Sequence, residues 1–312
     1  MIKPLYIVSG LLDSGKTSLI KETLYNPRFN EGERTLILSF EDGEETYDDK
    51  FLSDTNSFVI YMDSITELTR EKMVEIDNKY SFERVFIECN GIEDERILFS
   101  EERLIPNWEV AQILTTVDAS MFKLQINNLK QFVFNHISIT ECAIFNRFGN
   151  DDDYLFIRNN IKAINPRVEL IFEDNNHEVV EFDDVELFDL NQDIIDISDF
   201  NYGLWYMDAG DNPNKYENKK IRIKVKYLEE IKGYDTACIM GREAMVCCAD
   251  DIQPIGLTVI GIKTKEIKED TYYSIEGTIH AIDDEDGYKT CVLYADKIVE
   301  SLKPENELVY FN

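Results

Sequence analysis

Basic residues are scarce in this chain. Among its 312 residues, 32 Lys and Arg face 62 Asp and Glu, which gives a formal net charge of −30. A field of this sign repels phosphate backbones and anionic lipids, so we expect neither a nucleic acid nor a membrane surface as a partner. Long apolar runs are also missing, because no stretch reaches the roughly 18 to 20 apolar residues of a membrane-spanning helix. The sequence therefore predicts no direct membrane insertion.

Cysteine and histidine are few as well, with six and three residues. Six cysteines in a chain of this length do not resemble a secreted disulfide framework. Cys247 and Cys248 are adjacent on a predicted strand, which places them on opposite faces. Three interpretations stay open for this pair: free thiols, a redox site, or a Zn²⁺ site completed by other residues of the same region. The residues considered for that completion are Asp250, Asp251, Cys238 and Cys291.

One motif near the start carries chemistry. Residues 10–17 read G-L-L-D-S-G-K-T, which fits G-x-x-x-x-G-K-S/T, and they follow the apolar run Leu5–Val8. Such a loop feeds a helix, predicted from Thr17 to Leu24, whose first amides and dipole attract phosphate. We expect the Lys16 side chain to be solvated in the empty site and to reach the terminal phosphates, while the Thr17 hydroxyl ligates Mg²⁺. The predicted nucleotide contacts from this loop are Gly10, Asp13, Ser14, Gly15, Lys16, Thr17 and Ser18.

The rest of the first half alternates β-like and helical segments up to about Phe172, which predicts an α/β fold with a mostly parallel sheet. Further predicted strands are Thr35–Phe40, Ser57–Met62, Arg84–Cys89, Ala111–Val117, Cys142–Asn146 and Val168–Phe172. Predicted helices are Ile65–Tyr80, Met121–Phe134 and Asp152–Ile164. We expect a P-loop NTPase domain over residues 1–172.

The second half changes character. Residues 173–201 are rich in Asp and Glu, and we interpret them as an acidic connector. Five β-like runs follow within about 90 residues, which predicts a small β-rich domain of the OB barrel type over residues 202–312. These runs are Lys219–Leu228, Ala237–Cys248, Ile255–Ile262, Tyr272–Ile282 and Lys289–Val299.

Two acidic segments follow strands that end near the phosphate loop. Glu41 comes after the strand ending at Phe40, whereas Glu88 lies at the end of the strand beginning at Arg84 and Gly91 follows that strand. A carboxylate at a strand end can hold Mg²⁺ or its water, while a glycine amide meets the γ-phosphate. We therefore predict that Thr17, Glu41 and Glu88 organise Mg²⁺. The predicted catalytic set is Lys16, Thr17, Glu41, Glu88 and Gly91.

With Val117-Asp118-Ala119 and Asn165-Pro166, these segments resemble the CobW family of P-loop GTPases, relatives of the urease and hydrogenase nickel-insertion GTPases. The resemblance covers residues 1–172. It implies a Mg²⁺-dependent GTPase that couples its nucleotide state to the handling of a transition metal, often zinc or cobalt, or to cofactor maturation. The family's switch segment keeps four of its residues: Glu41, Gly43, Glu44 and Asp48. Asp13 stands where the family loop has glycine, and Phe40 where it has asparagine.

Two departures limit the resemblance. The family's metal-binding C-x-C-C is missing, because residues 49–84 contain no cysteine. The guanine-reading N-K-x-D is reduced to Asn146 and Arg147, which we predict to contact the base. Gly149 cannot accept the hydrogen bonds from guanine, unless Asp151 or Asp152 replaces the missing carboxylate.

Residues 219–300, through the stretch from Gly241 to Gly256, resemble the C-terminal domain of small uncharacterised bacterial membrane proteins that accompany putative permeases. This resemblance implies a fold and no activity.

From these features together, we expect a cytoplasmic GTP-binding protein with slow, Mg²⁺-dependent hydrolysis. Its expected role is in metal homeostasis or as an accessory factor to a metal-dependent protein or transporter. The alternatives are a nucleotide-responsive binding module with little catalysis and an ATP-preferring relative. A metalloprotein or permease partner, a homodimer and bound Zn²⁺ stay open.

Overall fold

The structure is a computed structural model that describes residues 2–41, 43, 45–100, 103–182, 187–245, 252–283 and 287–309. The chain divides into two compact units, residues 1–181 and 182–312. The helices of the described residues are too short or too polar to cross a membrane.

The first unit is built on a seven-stranded sheet. Its strands are β1 (Lys3–Ser9), β2 (Thr35–Ser39), β3 (Ser57–Tyr61), β4 (Arg84–Glu88), β5 (Trp108–Asp118), β6 (Cys142–Asn146) and β7 (Glu169–Phe172). They lie in the order β3-β2-β4-β1-β5-β6-β7, and every neighbouring pair is parallel. The predicted P-loop NTPase fold is therefore confirmed, and the carboxyl ends of β1, β2 and β4 meet at one edge, where such sheets bind ligands.

Helices connect these strands. They are α1 (Lys16–Tyr25), α2 (Asp49–Asp54), α3 (Arg70–Lys79), α4 (Ala119–Asn128), α5 (Lys130–Ile139) and α6 (Tyr154–Ile164), with short 3₁₀ helices at Ile65–Glu67 and Glu95–Phe99. The helix predicted over 121–134 is two helices that break at Leu129. The helix predicted over 65–80 begins later, at Arg70, because the Thr69 hydroxyl accepts the Lys72 amide and caps its first turn.

Apolar side chains cover both faces of this sheet. In β1, Leu5 and Ile7 belong to one buried cluster and Val8 to another. Because successive residues of a strand point to opposite faces, this alternation places one cluster on each side of the sheet. Every residue of β2 and β4 is buried. Strands covered on both faces are typical of parallel sheets, which explains their continuous apolar sequences.

The second unit contains mostly strands. They are β8 (Ile195–Asp196), β9 (Lys220–Glu230), β10 (Ala237–Met245), β11 (Ile252–Ile260), β12 (Tyr272–Asp283), β13 (Lys289–Ser301) and β14 (Leu308–Val309), with a helix α7 (Tyr202–Asp211) and 3₁₀ helices at Pro213–Tyr216 and Thr264–Glu266. The strands pair in the order β14-β10-β11-β13-β12-β9-β8, and an additional pairing joins β10 to β9. The pairings thus connect β9, β10, β11, β13 and β12 into a ring. The predicted β-rich second part is confirmed.

Two glycines allow β10 and β11 to approach closely in this ring. Gly241 faces Gly256 across the pair. A Cβ added at Gly241 would lie 2.0 Å from the Ile255 carbonyl oxygen, and one at Gly256 would lie 2.7 Å from that of Met240. Any larger residue at either position would have to separate the strands.

Candidate functional site

The loop between β1 and α1 depends on two glycines. Gly10 and Gly15 have φ angles of 132° and 99°, a region that favours glycine. A Cβ at Gly10 would lie 2.3 Å from the Thr116 carbonyl oxygen, and one at Gly15 would lie 2.6 Å from Nδ2 of Asn146. Asp13, which stands where the loop of the family has glycine, also adopts a left-handed φ of 59°. Gly15 precedes α1 without a side-chain cap, so it leaves the first-turn amides of the helix to a ligand.

Lys16 is buried against this loop. Only 2% of the residue is exposed. Its Nζ donates to the carbonyl oxygens of Gly10 and Leu11, at 2.8 Å each. A third contact joins Nζ to Oε2 of Glu41 at 2.7 Å. The expectation of a solvated lysine is therefore wrong, because two loop carbonyls and a carboxylate surround the ammonium group.

Glu41 has two neighbours that bear on phosphate binding. It pairs with the Lys16 ammonium, and the Gly91 backbone amide lies close enough to lower the pKa of its carboxyl. Burial raises the pKa of the Glu41 carboxyl; Lys16 opposes this effect, whereas the negative charge of Glu88 adds to it. One carboxylate thus lies beside both groups that we predicted to meet the γ-phosphate.

Glu88 ends β4 and is buried. Its Oε1 accepts the Thr17 hydroxyl at 2.5 Å. Its Oε2 accepts the hydroxyls of Ser39 at 2.7 Å and Tyr47 at 3.1 Å. Burial and the neighbouring Glu88 charge raise the pKa of Tyr47 well above its usual value, so this phenol stays a donor. Neither Ser39 nor Tyr47 was predicted, and no motif in the sequence marks them.

Gly91 is pressed against the phosphate loop. A Cβ at this position would lie 2.7 Å from both the Gly10 carbonyl oxygen and Cα of Leu11. The structure therefore brings the predicted catalytic residues together at the carboxyl ends of β1, β2 and β4. The members of this set are Lys16, Thr17, Glu41, Glu88 and Gly91. Their catalytic and metal-binding roles stay predictions.

Other residues of the predicted switch segment have local roles. Ser18 donates to Oε2 of Glu45 at 2.6 Å. Glu45 also accepts from Lys21 at 2.9 Å. Asp48 caps helix α2 by accepting the Phe51 amide. Glu44 lies outside the described residues.

The predicted base-contacting residues lie on the other side of the loop. Asn146 donates through Nδ2 to the Ser14 carbonyl oxygen at 2.7 Å. Arg147 donates through Nη1 to the Asp13 carbonyl oxygen at 3.1 Å and to Oδ2 of Asp118 at 2.6 Å. Both residues therefore hold the phosphate loop in position. The Ser14 hydroxyl adds a hydrogen bond of 2.8 Å to the hydroxyl of Thr116 on the neighbouring strand.

Gly149 offers no side-chain acceptor at the position where guanine would be read. Instead, its amide donates to Oδ2 of Asp152 at 2.8 Å. The Asp152 carboxylate therefore contacts the backbone of this turn, and Asp151 is exposed.

A polar cleft connects these groups. It has a water-accessible volume of about 240 Å³. Its lining residues are Asp13, Gly15, Lys16, Thr17, Ser18, Glu41, Gly43, Glu45 and Arg147. The described residues contain no cluster of three or more His, Cys, Asp or Glu arranged to hold a metal ion. Thr17 with Glu88 or Glu41 nevertheless supplies hydroxyl and carboxylate oxygens, which suit Mg²⁺ when phosphate and water complete its octahedron.

The candidate zinc ligands give a different result. Cys247, Cys248, Asp250 and Asp251 lie outside the described residues. Cys238 and Cys291 are buried, and burial raises their pKa values to about 11 and about 12. The Cys291 thiol donates to the Ala209 carbonyl oxygen. These two thiols are therefore protonated near neutral pH and are unsuited to bind zinc as they stand.

The parallel sheet and the phosphate loop define a P-loop nucleotide-binding protein. Residues 4–172 match the nucleotide-binding domain of CobW/HypB/UreG proteins, which is more than half of the chain. The chain belongs to the CobW/HypB/UreG family. Residues 175–311 match the DUF1980 C-terminal domain. Both resemblances predicted from the sequence are thus confirmed, whereas no curated protein matches the chain.

Solved structures give distant similarities. The hydrogenase maturation factor HypB from Archaeoglobus fulgidus is 16% identical with a TM-score of 0.40, over 56% of this chain and 82% of that one. A Zn(II)-bound triple mutant of the YjiA GTPase is 15% identical with a TM-score of 0.45, over 95% and 90% of the two chains. FlhF complexed with GMPPNP and Mg²⁺ is 12% identical with a TM-score of 0.37, over 58% and 71%. Similarity at this level defines neither activity nor ligand.

Proposed function

We propose that this protein binds GTP with Mg²⁺ and hydrolyses it slowly. The observation that carries the proposal is the ion pair of 2.7 Å between the Lys16 ammonium and the Glu41 carboxylate beside the phosphate loop. The Gly91 amide also favours the charged form of this carboxylate, because it lowers the pKa of Glu41. A γ-phosphate has the charge and the acceptor oxygens to replace that carboxylate.

In this proposal each residue has one task. Lys16 stabilises the charge on the terminal phosphates, and the Gly91 amide contacts the γ-phosphate. Thr17 with Glu88 or Glu41 holds Mg²⁺, which when bound neutralises the developing charge. Phosphoryl transfer requires positioned groups more than covalent chemistry from the protein. GTP must displace Glu41 from Lys16 when it binds, which lowers the affinity of the site for the triphosphate.

For the base, we propose that Asn146 and Arg147 lie beside guanine. Preference for ATP is the second candidate, and one observation favours it: Gly149 has no acceptor, and Asp152 contacts its amide instead. Without a carboxylate for the guanine N1 and N2 hydrogens, discrimination against adenine is weak.

We further propose a role in metal homeostasis, or as an accessory factor to a metal-dependent protein or transporter, in the cytoplasm. Residues 1–172 would be the GTPase domain, 173–201 an acidic connector, and 202–312 an OB-type barrel. The ring of five paired strands supports the last assignment. A metalloprotein or permease client and a homodimer are compatible with this role, whereas the charge of −30 disfavours nucleic acid.

Multiple-turnover release of phosphate from Mg²⁺-GTP tests the proposed activity. We expect more than one phosphate per protein, lost on addition of a chelator and strongly reduced in Glu88→Gln. Glu83→Gln is the matched control, because Glu83 precedes the opposite end of the same strand and is exposed. Tight nucleotide binding without turnover would favour the binding-module alternative. Faster turnover of ATP than of GTP would favour the ATP-preferring alternative.

A further inference from the structure

A buried histidine and glutamate lie behind Gly91. His136 is on α5 and Glu95 begins the 3₁₀ helix Glu95–Phe99. Their side chains are 2% and 0% exposed. Nδ1 of His136 lies 2.7 Å from Oε1 of Glu95, and Nε2 lies 3.1 Å from the Gly91 carbonyl oxygen. The imidazole therefore connects a buried carboxyl group to the glycine that faces the phosphate loop.

The chemistry of the three groups determines where the hydrogen atoms lie between Glu95, His136 and Gly91. A carbonyl oxygen only accepts, so Nε2 of His136 carries a hydrogen and donates it to Gly91. The short contact between Nδ1 and Oε1 needs a second hydrogen, on either the ring or the carboxyl group, because two lone pairs would repel each other. Glu95 thereby fixes the tautomer and the orientation of the ring. Its other oxygen has no hydrogen-bond partner among the described residues.

Gly91 is consequently held from two directions. On one side its backbone packs so closely against Gly10 and Leu11 of the phosphate loop that a Cβ would have no room, and on the side of α5 its carbonyl accepts from His136. Glycine has the widest backbone freedom of any residue, so a free Gly91 would lose more entropy when it binds phosphate. Because the carbonyl of Gly91 is held by His136, rotation about the backbone bonds of Gly91 is restricted, and its amide keeps its orientation.

We propose that His136, oriented by Glu95, is a positioning residue that holds Gly91 ready for the γ-phosphate. The inference rests on the proposed function, and it concerns only the nucleotide with a third phosphate. It assigns no contact between His136 and the nucleotide. A buried histidine that only fills space would affect the binding of a triphosphate and of a diphosphate equally. The proposed role of His136 predicts an effect on the triphosphate alone.

The test compares affinities for a non-hydrolysable GTP analogue and for GDP, with Mg²⁺, by calorimetry on the full chain. In His136→Leu we expect the affinity for the analogue to fall roughly three- to tenfold, with GDP affinity unchanged, because the hydrogen bond to the Gly91 carbonyl is lost. In His136→Gln the side-chain amide can still donate to Gly91, so the ratio of the two affinities should return to within about twofold of wild type. An unchanged ratio in a folded His136→Leu would overturn the proposal.

Two further variants keep the test decisive. Val133→Ala removes buried volume from the same helix α5 and leaves the hydrogen bond between His136 and Gly91 in place, so it should lower stability and leave the affinity ratio unchanged. A ratio shifted equally in Val133→Ala would also overturn the proposal. If His136→Leu does not fold, Glu95→Leu replaces it, with the same expected loss and the same contradicting result. A wild-type chain that binds neither nucleotide would instead refute the proposed function, and the inference with it.

Discussion

The Lys16 ammonium lies 2.7 Å from the Glu41 carboxylate, and the pair is almost completely shielded from solvent. The ammonium that we assign to phosphate is therefore neutralised by a group of the chain itself. Any anion that binds to Lys16 must compete with a carboxylate that is already in place. The affinity of the site thus depends on the charge of Glu41 as well as on the loop.

Glu41→Gln is expected to tighten the binding of GDP in the absence of Mg²⁺. The amide is a weaker competitor for Lys16. A charge-assisted hydrogen bond contributes about 1.5–3 kcal/mol and a neutral one about 0.5–1.5 kcal/mol, so the difference predicts a gain of roughly tenfold. Hydrolysis of Mg²⁺-GTP should fall in the same variant. Calorimetry with and without the metal measures both states.

Glu45→Gln is the matched control for this prediction. Glu45 belongs to the same segment and lines the same cleft, but it contacts Ser18 and Lys21 instead of Lys16. The affinity of the Glu45→Gln variant for GDP should stay near that of the wild-type chain. Weaker GDP binding in Glu41→Gln would show that the ion pair does not compete with phosphate.

Discrimination between GTP and ATP is expected to stay within roughly two orders of magnitude, because a carboxylate contact to guanine is missing. Gly149→Asp should raise it by about tenfold or more, since the new side chain restores an acceptor. The site has room, because a Cβ at Gly149 comes no closer than 3.8 Å to another group. Asp152→Asn serves as the comparison, and competition binding with the two nucleotides gives the ratio. A wild-type preference of many thousandfold would mean that another residue reads guanine.

Periodicity located the strands of the first unit well. Cys142–Asn146 is a strand with the predicted bounds, and Thr35–Ser39 and Arg84–Glu88 differ from prediction by one residue at the end. Their apolar runs end at polar residues at the carboxyl edge of the sheet, where parallel sheets of this kind bind ligands. The break at Leu129 had no signal, because neither Gly nor Pro marks it. Helix α7 was missed, since glycine and aromatic residues obscure its helical pattern.

The site was predictable where a motif specifies the chemistry. Lys16, Thr17 and Glu88 were selected because phosphate and Mg²⁺ require those residue types after particular strands, and the structure places them together. Tyr47 and His136 were not assigned to the site, because their partners, Glu88 and Glu95, are 41 residues away in each case. Contacts at such separations depend on tertiary packing, which a single sequence does not encode in any local pattern.

The thiols of Cys238 and Cys291 are expected to resist alkylation in the folded chain at pH 8.5. Burial raises their pKa values to about 11 and about 12, so few are thiolate at that pH. In the unfolded chain the two thiols have pKa values of about 8.5, so the free energy of unfolding carries their full contribution below that pH. This contribution is lost progressively as the pH rises from there towards the pKa values of the folded state. Mass spectrometry after labelling gives the first result, and urea unfolding between about pH 8 and 10 gives the second. Equal labelling rates in folded and unfolded chains would contradict the prediction.

Any stoichiometric zinc is expected to depend on Cys247 and Cys248. The described residues hold no metal-binding cluster, and residues 49–84 contain no cysteine. Zinc needs deprotonated thiolates, so its content should fall on acidification. Elemental analysis of the full chain and of the Cys247→Ser, Cys248→Ser variant measures this, with Cys142→Ser as control. If the zinc content is unchanged by the double substitution, the metal must bind at another site.

Equilibrium titration of Lys16→Met with a fluorescent GTP analogue and Mg²⁺ tests the central claim most directly. Methionine retains most of the volume of the buried side chain but removes the ammonium group that contacts Gly10, Leu11 and Glu41. We predict one saturable site in the wild-type chain and a loss of about a hundredfold or more in the variant, with a lower stability of roughly 3 kcal/mol because Glu41 loses its buried partner. Circular dichroism confirms that the variant is folded at the temperature of the titration. Equal affinity in the two proteins, or no saturable binding to wild type, would contradict the assignment of this loop to a nucleotide.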